Sequence, residues 1–134
     1  MSKLLLVEDD QKIRDIYKRF LVQKKFNVLE AGNGEEAGLV LIEEKGIDLV
    51  LLDIRMPVVS GTALFDLIKL HSPDAKVIIM SVYPLEDQKR LVDGADDYFD
   101  KSEGIHVLLS RIKGVLSESE DVESTVRNQK GGTS

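Results

Sequence analysis

The sequence predicts a single α/β domain built on a parallel sheet with helices on both faces. Two apolar runs, Leu49–Leu52 and Val77–Met80, contain no polar residue. A half-exposed strand would alternate apolar and polar residues, so unbroken runs point to strands covered on each side. Strand-like and helix-like stretches also alternate strictly, five times, the pattern of right-handed βα units. Length and composition agree, since 134 residues with 43% apolar and 31% charged side chains suit one globular unit with its own core.

The first strand is Leu4–Val7, halted by Glu8, Asp9 and Asp10. Ile13, Ile16, Tyr17, Phe20 and Leu21 recur at helical spacing, so a helix is expected from Gln11 to about Lys25 with these residues inward. Phe26–Ala31 reads as the second strand. Gly32, Asn33 and Gly34 form a turn into a helix over Glu35–Glu44, with Ala37, Val40 and Leu41 inward and Gly46 stopping it. The third strand ends on Asp53 and a Met56-Pro57 turn. Ser60 is placed to cap a helix running to about Leu70, with Leu64, Leu67 and Ile68 inward. Ser72-Pro73-Asp74 breaks it, and Ala75–Met80 is the fourth strand, delivering Ser81 to its tip. Pro84 suits the start of a short helix ending near Val92, followed by a turn at Gly94. Asp97–Asp100 is the last strand and delivers Lys101. Ile105, Leu108, Leu109, Ile112 and Leu116 mark a closing amphipathic helix. The domain is therefore expected over residues 1–117. Residues 118–134, polar and ending Gly-Gly-Thr-Ser, are expected to be a disordered tail or linker remnant.

Strand tips carry the chemistry. Glu8 and Asp9 follow the first strand, Asp53 ends the third, Ser81 the fourth, and Lys101 the fifth. In a parallel sheet all these tips share one edge, where open α/β sheets bind their ligands. If the first and third strands are neighbours, three carboxylates converge, and such like charges need a cation between them. An oxygen-rich, partly hydrated set suits Mg2+. Lys101 adds a point charge and Ser81 a hydroxyl donor, which together describe a pocket for a phosphoryl group with Asp53 as nucleophile. Each group also has an ordinary explanation: acids favour a helix start, and a lysine or serine often ends a strand. Tyr98 alone reads as a core-edge aromatic, and His71 and His106 as surface or helix-end residues. It is their coincidence on one edge that argues for a site.

Four stretches, LLLVEDDQKIR from Leu4, LVLLDIRMPVVSG from Leu49, VIIMS from Val77 and GADDYFDK from Gly94, resemble the receiver domain of two-component response regulators. The resemblance is to the chemotaxis-type, single-domain members and spans residues 3 to 117. It implies a flavodoxin-like sheet of order 2-1-3-4-5 with five helices. It also implies that Asp53 accepts a phosphoryl group from a histidine kinase or phosphotransfer protein. Asp9 and Asp53 would bind Mg2+ directly with the backbone carbonyl of Arg55, and Glu8 through water. Glu8 and Asp9, rather than Asp9 and Asp10, match the family's acidic pair against Ile13 and Arg14. Ser81 and Lys101 would contact the phosphoryl oxygens, and Tyr98 would swing inward as Ser81 moves toward them. Such a domain is a phosphoacceptor switch, with self-phosphorylation and autodephosphorylation but no turnover of a small molecule. The alternative is a pseudo-receiver, an interaction module independent of phosphate. A phosphatase of the haloacid-dehalogenase type is disfavoured, because Arg55 stands where that class needs a second acid.

Three positions depart from the family pattern. Ser102 stands where a proline with a cis bond is usual, so a trans Lys101–Ser102 bond is expected, a non-proline cis bond costing ~2.5 to 4 kcal/mol. Val82 replaces a smaller residue and is expected to narrow access to Asp53. The segment from Ser81 to Lys101 is short, so a short fourth helix is expected. Arg55 and Tyr83 flank the pocket by position and are expected to tune hydrolysis of the phosphoryl group.

With no cysteine, thiolate and disulfide chemistry is excluded. A net charge of −6 and a pI near 4.9 argue against direct nucleic-acid binding. No apolar run approaches the roughly 20 residues of a membrane helix, and none forms a signal peptide, so a cytoplasmic protein is expected. No output domain is recognisable after residue 117. The expected partners are accordingly a kinase, and either a downstream protein or an output domain on a longer chain.

Overall fold

A computed structural model describes the backbone of residues 1–54 and 61–130, and the side chains of these residues other than 61, 62, 90, 91 and 118–130. The elements alternate as β1 Lys3–Val7, α1 Gln11–Gln23, β2 Asn27–Ala31, α2 Gly34–Glu43, β3 Leu49–Asp53, α3 Gly61–His71, β4 Lys76–Ser81, α4 Leu85–Leu91, β5 Asp97–Asp100 and α5 Ile105–Lys130. A 3₁₀ turn, Lys101–Glu103, joins β5 to α5. All pairings are parallel, and the sheet order is β2-β1-β3-β4-β5. This is the predicted doubly wound sheet.

The unbroken apolar runs work because successive strand side chains point to opposite faces. Leu5, Val7, Val50, Leu52, Val77, Ile79 and Tyr98 pack with Ala37 and Leu41 of α2 and with Leu64 and Ile68 of α3. The alternate set, Leu4, Leu6, Leu49, Leu51, Ile78, Met80 and Phe99, packs with Tyr17 and Leu21 of α1 and with Leu108, Ile112 and Val115 of α5. Each strand thus feeds two cores, and in β1, β3, β4 and β5 polar residues are confined to the strand ends.

Helix starts follow local chemistry. Asp10 caps α1 by accepting from the Ile13 N–H at 3.1 Å, and Asn33 caps α2 by accepting from the Glu36 N–H at 2.9 Å. The expected cap at Ser60 and the Met56-Pro57 turn lie outside the described residues. Gly94, at φ +91°, makes the turn into β5 in the left-handed region that favours glycine.

Four expectations change in detail. Ile16 is 60% exposed, because Tyr17 and Leu21 take the inward line of α1. Leu109 is half-buried, and Val115 takes the inward place toward the end of α5. Ser81 is the last residue of β4 itself. The closing helix does not stop at Leu116: the backbone of α5 continues to Lys130. Nothing in its strongly polar composition breaks a helix, and the first glycine pair comes only at Gly131. The fourth helix is short, as expected, and Lys101–Ser102 is trans.

Candidate functional site

The register of the sheet assembles the site. Val7 of β1 lies opposite Leu52 of β3, so Glu8 and Asp53, each one residue further on, stand side by side. On the other flank Asp53 pairs with Met80, which places Ser81 one residue beyond it, and Ser81 pairs with Asp100, the residue before Lys101. Side-chain alternation then divides the groups. Glu8 follows Leu4 and Leu6, and Asp53 follows Leu49 and Leu51, on the face shared with α1 and α5. Ser81 follows Val77 and Ile79 on the opposite face.

Lys101 draws the first group together. Its Nζ lies 2.6 Å from Glu8 Oε2 and 3.2 Å from Asp53 Oδ2. Glu8, Asp53 and Ser81 are fully withdrawn from solvent, whereas Asp9 is exposed. Burial drives the Glu8 carboxyl up to about 7, with the Asp53 charge adding to the rise and Lys101 opposing it. Burial alone would lower Lys101, but its hydrogen bond to Glu8 and the charges of Asp53 and Glu8 outweigh that and hold it above the ordinary lysine range. Tyr17 lies close enough to feel all three groups, and burial pushes its phenol upward.

Glu8, Asp9 and Asp53 each offer a carboxylate oxygen within 4.8 Å of the others. Hard oxygen donors on an edge with one exposed member are the chemistry Mg2+ requires, so the residues fit that ion. Asp10 is not part of the group, because its carboxylate is spent on the α1 cap. Arg55, expected to add a carbonyl ligand, lies outside the described residues. Ser81 Oγ accepts from the Tyr83 N–H at 3.1 Å. Val82 is 53% and Tyr83 42% exposed beside it. Tyr98 is buried, its hydroxyl donating to the Val92 carbonyl at 2.7 Å and accepting from the Ala95 N–H at 3.3 Å.

Two residues in this region escaped the sequence reading. Arg14 Nη1 donates to the Glu8 carbonyl at 2.7 Å, and its Nε pairs with Glu30 at 3.4 Å, fixing the loop that carries the acids. Gln88 is fully buried behind Ser81. Its signal was present: Leu85, Gln88 and Val92 share the i, i+3, i+7 spacing of an inward face, with a polar residue in the middle.

The family described as the response regulator receiver domain matches residues 4–113. The chain belongs to this family. A receiver domain is a phosphoacceptor module of two-component signalling, and the CheY-like sheet order agrees with it. Among curated relatives, the transcriptional regulatory protein CpxR of Escherichia coli K12 is 35% identical over 132 residues, which cover 98% of this chain and 56% of CpxR. The chain thus spans about half the length of the curated relatives it matches. A CheY-like receiver protein from Methanospirillum hungatei superposes with a TM-score of 0.80 at 33% identity, covering 90% of this chain and 98% of that one. The response regulator TrrA of Thermotoga maritima, solved in complex with Mg2+ and BeF, superposes with a TM-score of 0.77 at 33% identity over 87% of this chain and 100% of TrrA. Among the described residues, no helix is long and apolar enough to cross a membrane.

Proposed function

We propose that this receiver accepts a phosphoryl group on Asp53 from the phosphohistidine of a histidine kinase or phosphotransfer protein. The observation that carries the reading is Lys101 Nζ bridging the buried Glu8 and Asp53 carboxylates, beside an exposed Asp9. An Asp53 carboxylate oxygen attacks phosphorus, the phosphorus–nitrogen bond breaks, and the imidazole leaves with the bonding electrons. Lys101 then trades Asp53 Oδ2 for a phosphoryl oxygen, offsetting the charge that has arrived. Ser81 donates its hydroxyl proton to a second oxygen. Autodephosphorylation reverses the gain, water attacking phosphorus to return the carboxylate and inorganic phosphate. Asp9 and Asp53 would hold Mg2+ directly, with Glu8 acting through water and the Arg55 carbonyl as a further ligand. When bound, the ion supplies compensating positive charge to the carboxylates and phosphoryl oxygens. TrrA, bound to Mg2+ and BeF, is the relative that supports this assignment.

Ser81 and Tyr98 form the switch in this reading. The phosphoryl contact with Ser81 favours one of two packings of β4, α4 and β5, and the buried Tyr98 hydroxyl bonds belong to one of them. The receiver unit in this reading is residues 1–117. Output goes to a downstream protein or to an output domain on a longer chain, consistent with CpxR being about twice as long. A net charge of −6 supports an output that does not run through direct nucleic-acid contact by the receiver itself. The reading is of a cytoplasmic switch, not of an enzyme with a small-molecule substrate.

Intact-mass spectrometry after incubation with acetyl phosphate and Mg2+ tests it. A single phosphate adduct is expected, absent from Asp53→Asn and from a sample with the metal chelated. An adduct that survives Asp53→Asn would move the acceptor elsewhere. No adduct at all, with beryllofluoride also failing to bind, would leave the pseudo-receiver.

A further inference from the structure

Among the described residues the fully buried polar side chains are Glu8, Asp53, Ser81 and Gln88. The first three belong to the site, and Gln88 lies outside it, on α4. Its Nε2 donates to the Tyr83 carbonyl at 2.8 Å and to the Phe99 carbonyl at 3.0 Å. Its Oε1 is buried with no hydrogen-bond partner among the described residues. A half-satisfied buried amide is costly, so its two donors must do more than fill space.

The two carbonyls belong to segments that carry site groups. Tyr83 lies two residues beyond Ser81, and its N–H donates to Ser81 Oγ. Phe99 lies two residues before Lys101, in β5. The short helix α4 between them also meets β5 through the Tyr98 hydroxyl bond to the Val92 carbonyl and through Lys89 Nζ over the Tyr98 ring. Pro84 at its start provides no side-chain cap, and the backbone bonds there are those from the Asp87 and Gln88 N–H groups to the Pro84 carbonyl.

We propose that Gln88 is the positioning residue for Ser81: by holding the Tyr83 carbonyl against that of Phe99, it keeps the turn after β4 docked on β5. In that arrangement the Tyr83 N–H occupies a lone pair of Ser81 Oγ and leaves the hydroxyl proton free for a phosphoryl oxygen. The inference rests on the phosphoacceptor reading above. Gln88 touches no reacting atom, and its effect passes through Tyr83.

The test uses the full chain with Mg2+ and beryllofluoride as the phosphoryl probe, alongside Mg2+ alone, by titration calorimetry. Gln88→Met keeps length and volume but removes both donors. Gln88→Glu keeps the shape and turns an acceptor toward the two carbonyls, and serves as the second variant if the first does not fold. Loss of the strut should weaken beryllofluoride binding roughly three- to tenfold, the value of one or two ordinary hydrogen bonds, and speed amide exchange at Tyr83. Affinity for Mg2+ alone should stay within about twofold, because the carboxylates are untouched. A purely structural role would lower the melting temperature and leave both affinities alone. Unchanged or tighter beryllofluoride binding in the folded variants, with the wild type binding normally, overturns this inference and spares the phosphoacceptor reading. A wild type that binds no beryllofluoride overturns both.

Discussion

Lys101 sets the electrostatics of the site, because an ammonium with 9% exposure bridges two carboxylates that are withdrawn from solvent. Removing one partner from a buried ionic cluster strands the rest, which typically costs 3–5 kcal/mol, about the size expected for Lys101→Met here. The loss should appear in chemical denaturation without metal at a pH above about 7, where Glu8 is ionised, and Mg2+ should recover part of it. A loss under about 1 kcal/mol, with no response to Mg2+, would mean that the cluster is more hydrated than its burial shows. Asp53 and Ser81 were legible in the sequence because each ends an apolar strand, and Lys101 because it directly follows the short strand Asp97–Asp100. The inward place of Gln88 could be read from its spacing, but the bonds of Arg14 and Gln88 could not, since both act on backbone carbonyls, of Glu8 in one case and of Tyr83 and Phe99 in the other. Any residue could supply those carbonyls, and only folding decides which ones come within reach.

Among the elements, α1 shows how one acid in a run of three is withdrawn from the site. Glu8, Asp9 and Asp10 are chemically alike, yet the Asp10 carboxylate turns along the helix to meet the Ile13 N–H. Asp10→Ala should therefore cost about 1 kcal/mol of stability by loss of the cap, measured by denaturation. Its phosphorylation by acetyl phosphate, followed by intact mass, should match the wild type. A slowed phosphorylation would return Asp10 to the acidic pair. Strand positions were readable to within a residue or so, because an apolar run is bounded by polar residues on either side. Helix interiors were less so: Ile16 fits the 3.6-residue period but lies at its margin, and the breadth of the buried stripe depends on what α1 packs against.

For the whole molecule, the two cores, one on each face of the sheet, hold the described residues together. Among the described side chains, Val115 and Leu116 are the last to pack against the α1–α5 core. A chain ending at Ser117 should fold with an unchanged melting temperature and give the same phosphate adduct. A loss of several degrees would place part of the domain beyond that boundary, a shift of that size corresponding to about 1 kcal/mol in a domain this small. Period-two alternation, strict βα order and reactive residues at strand tips depend only on neighbours along the chain, so the sheet, its two covered faces and the edge that bears the acids were contained in the amino-acid order. Strand register, the bridging of Glu8 and Asp53 by Lys101, and the Gln88 strut join residues separated by up to 93 positions. Those were decided only in the tertiary structure, because a hydrogen bond is sensitive to tenths of an ångström and no local pattern specifies distance between strands.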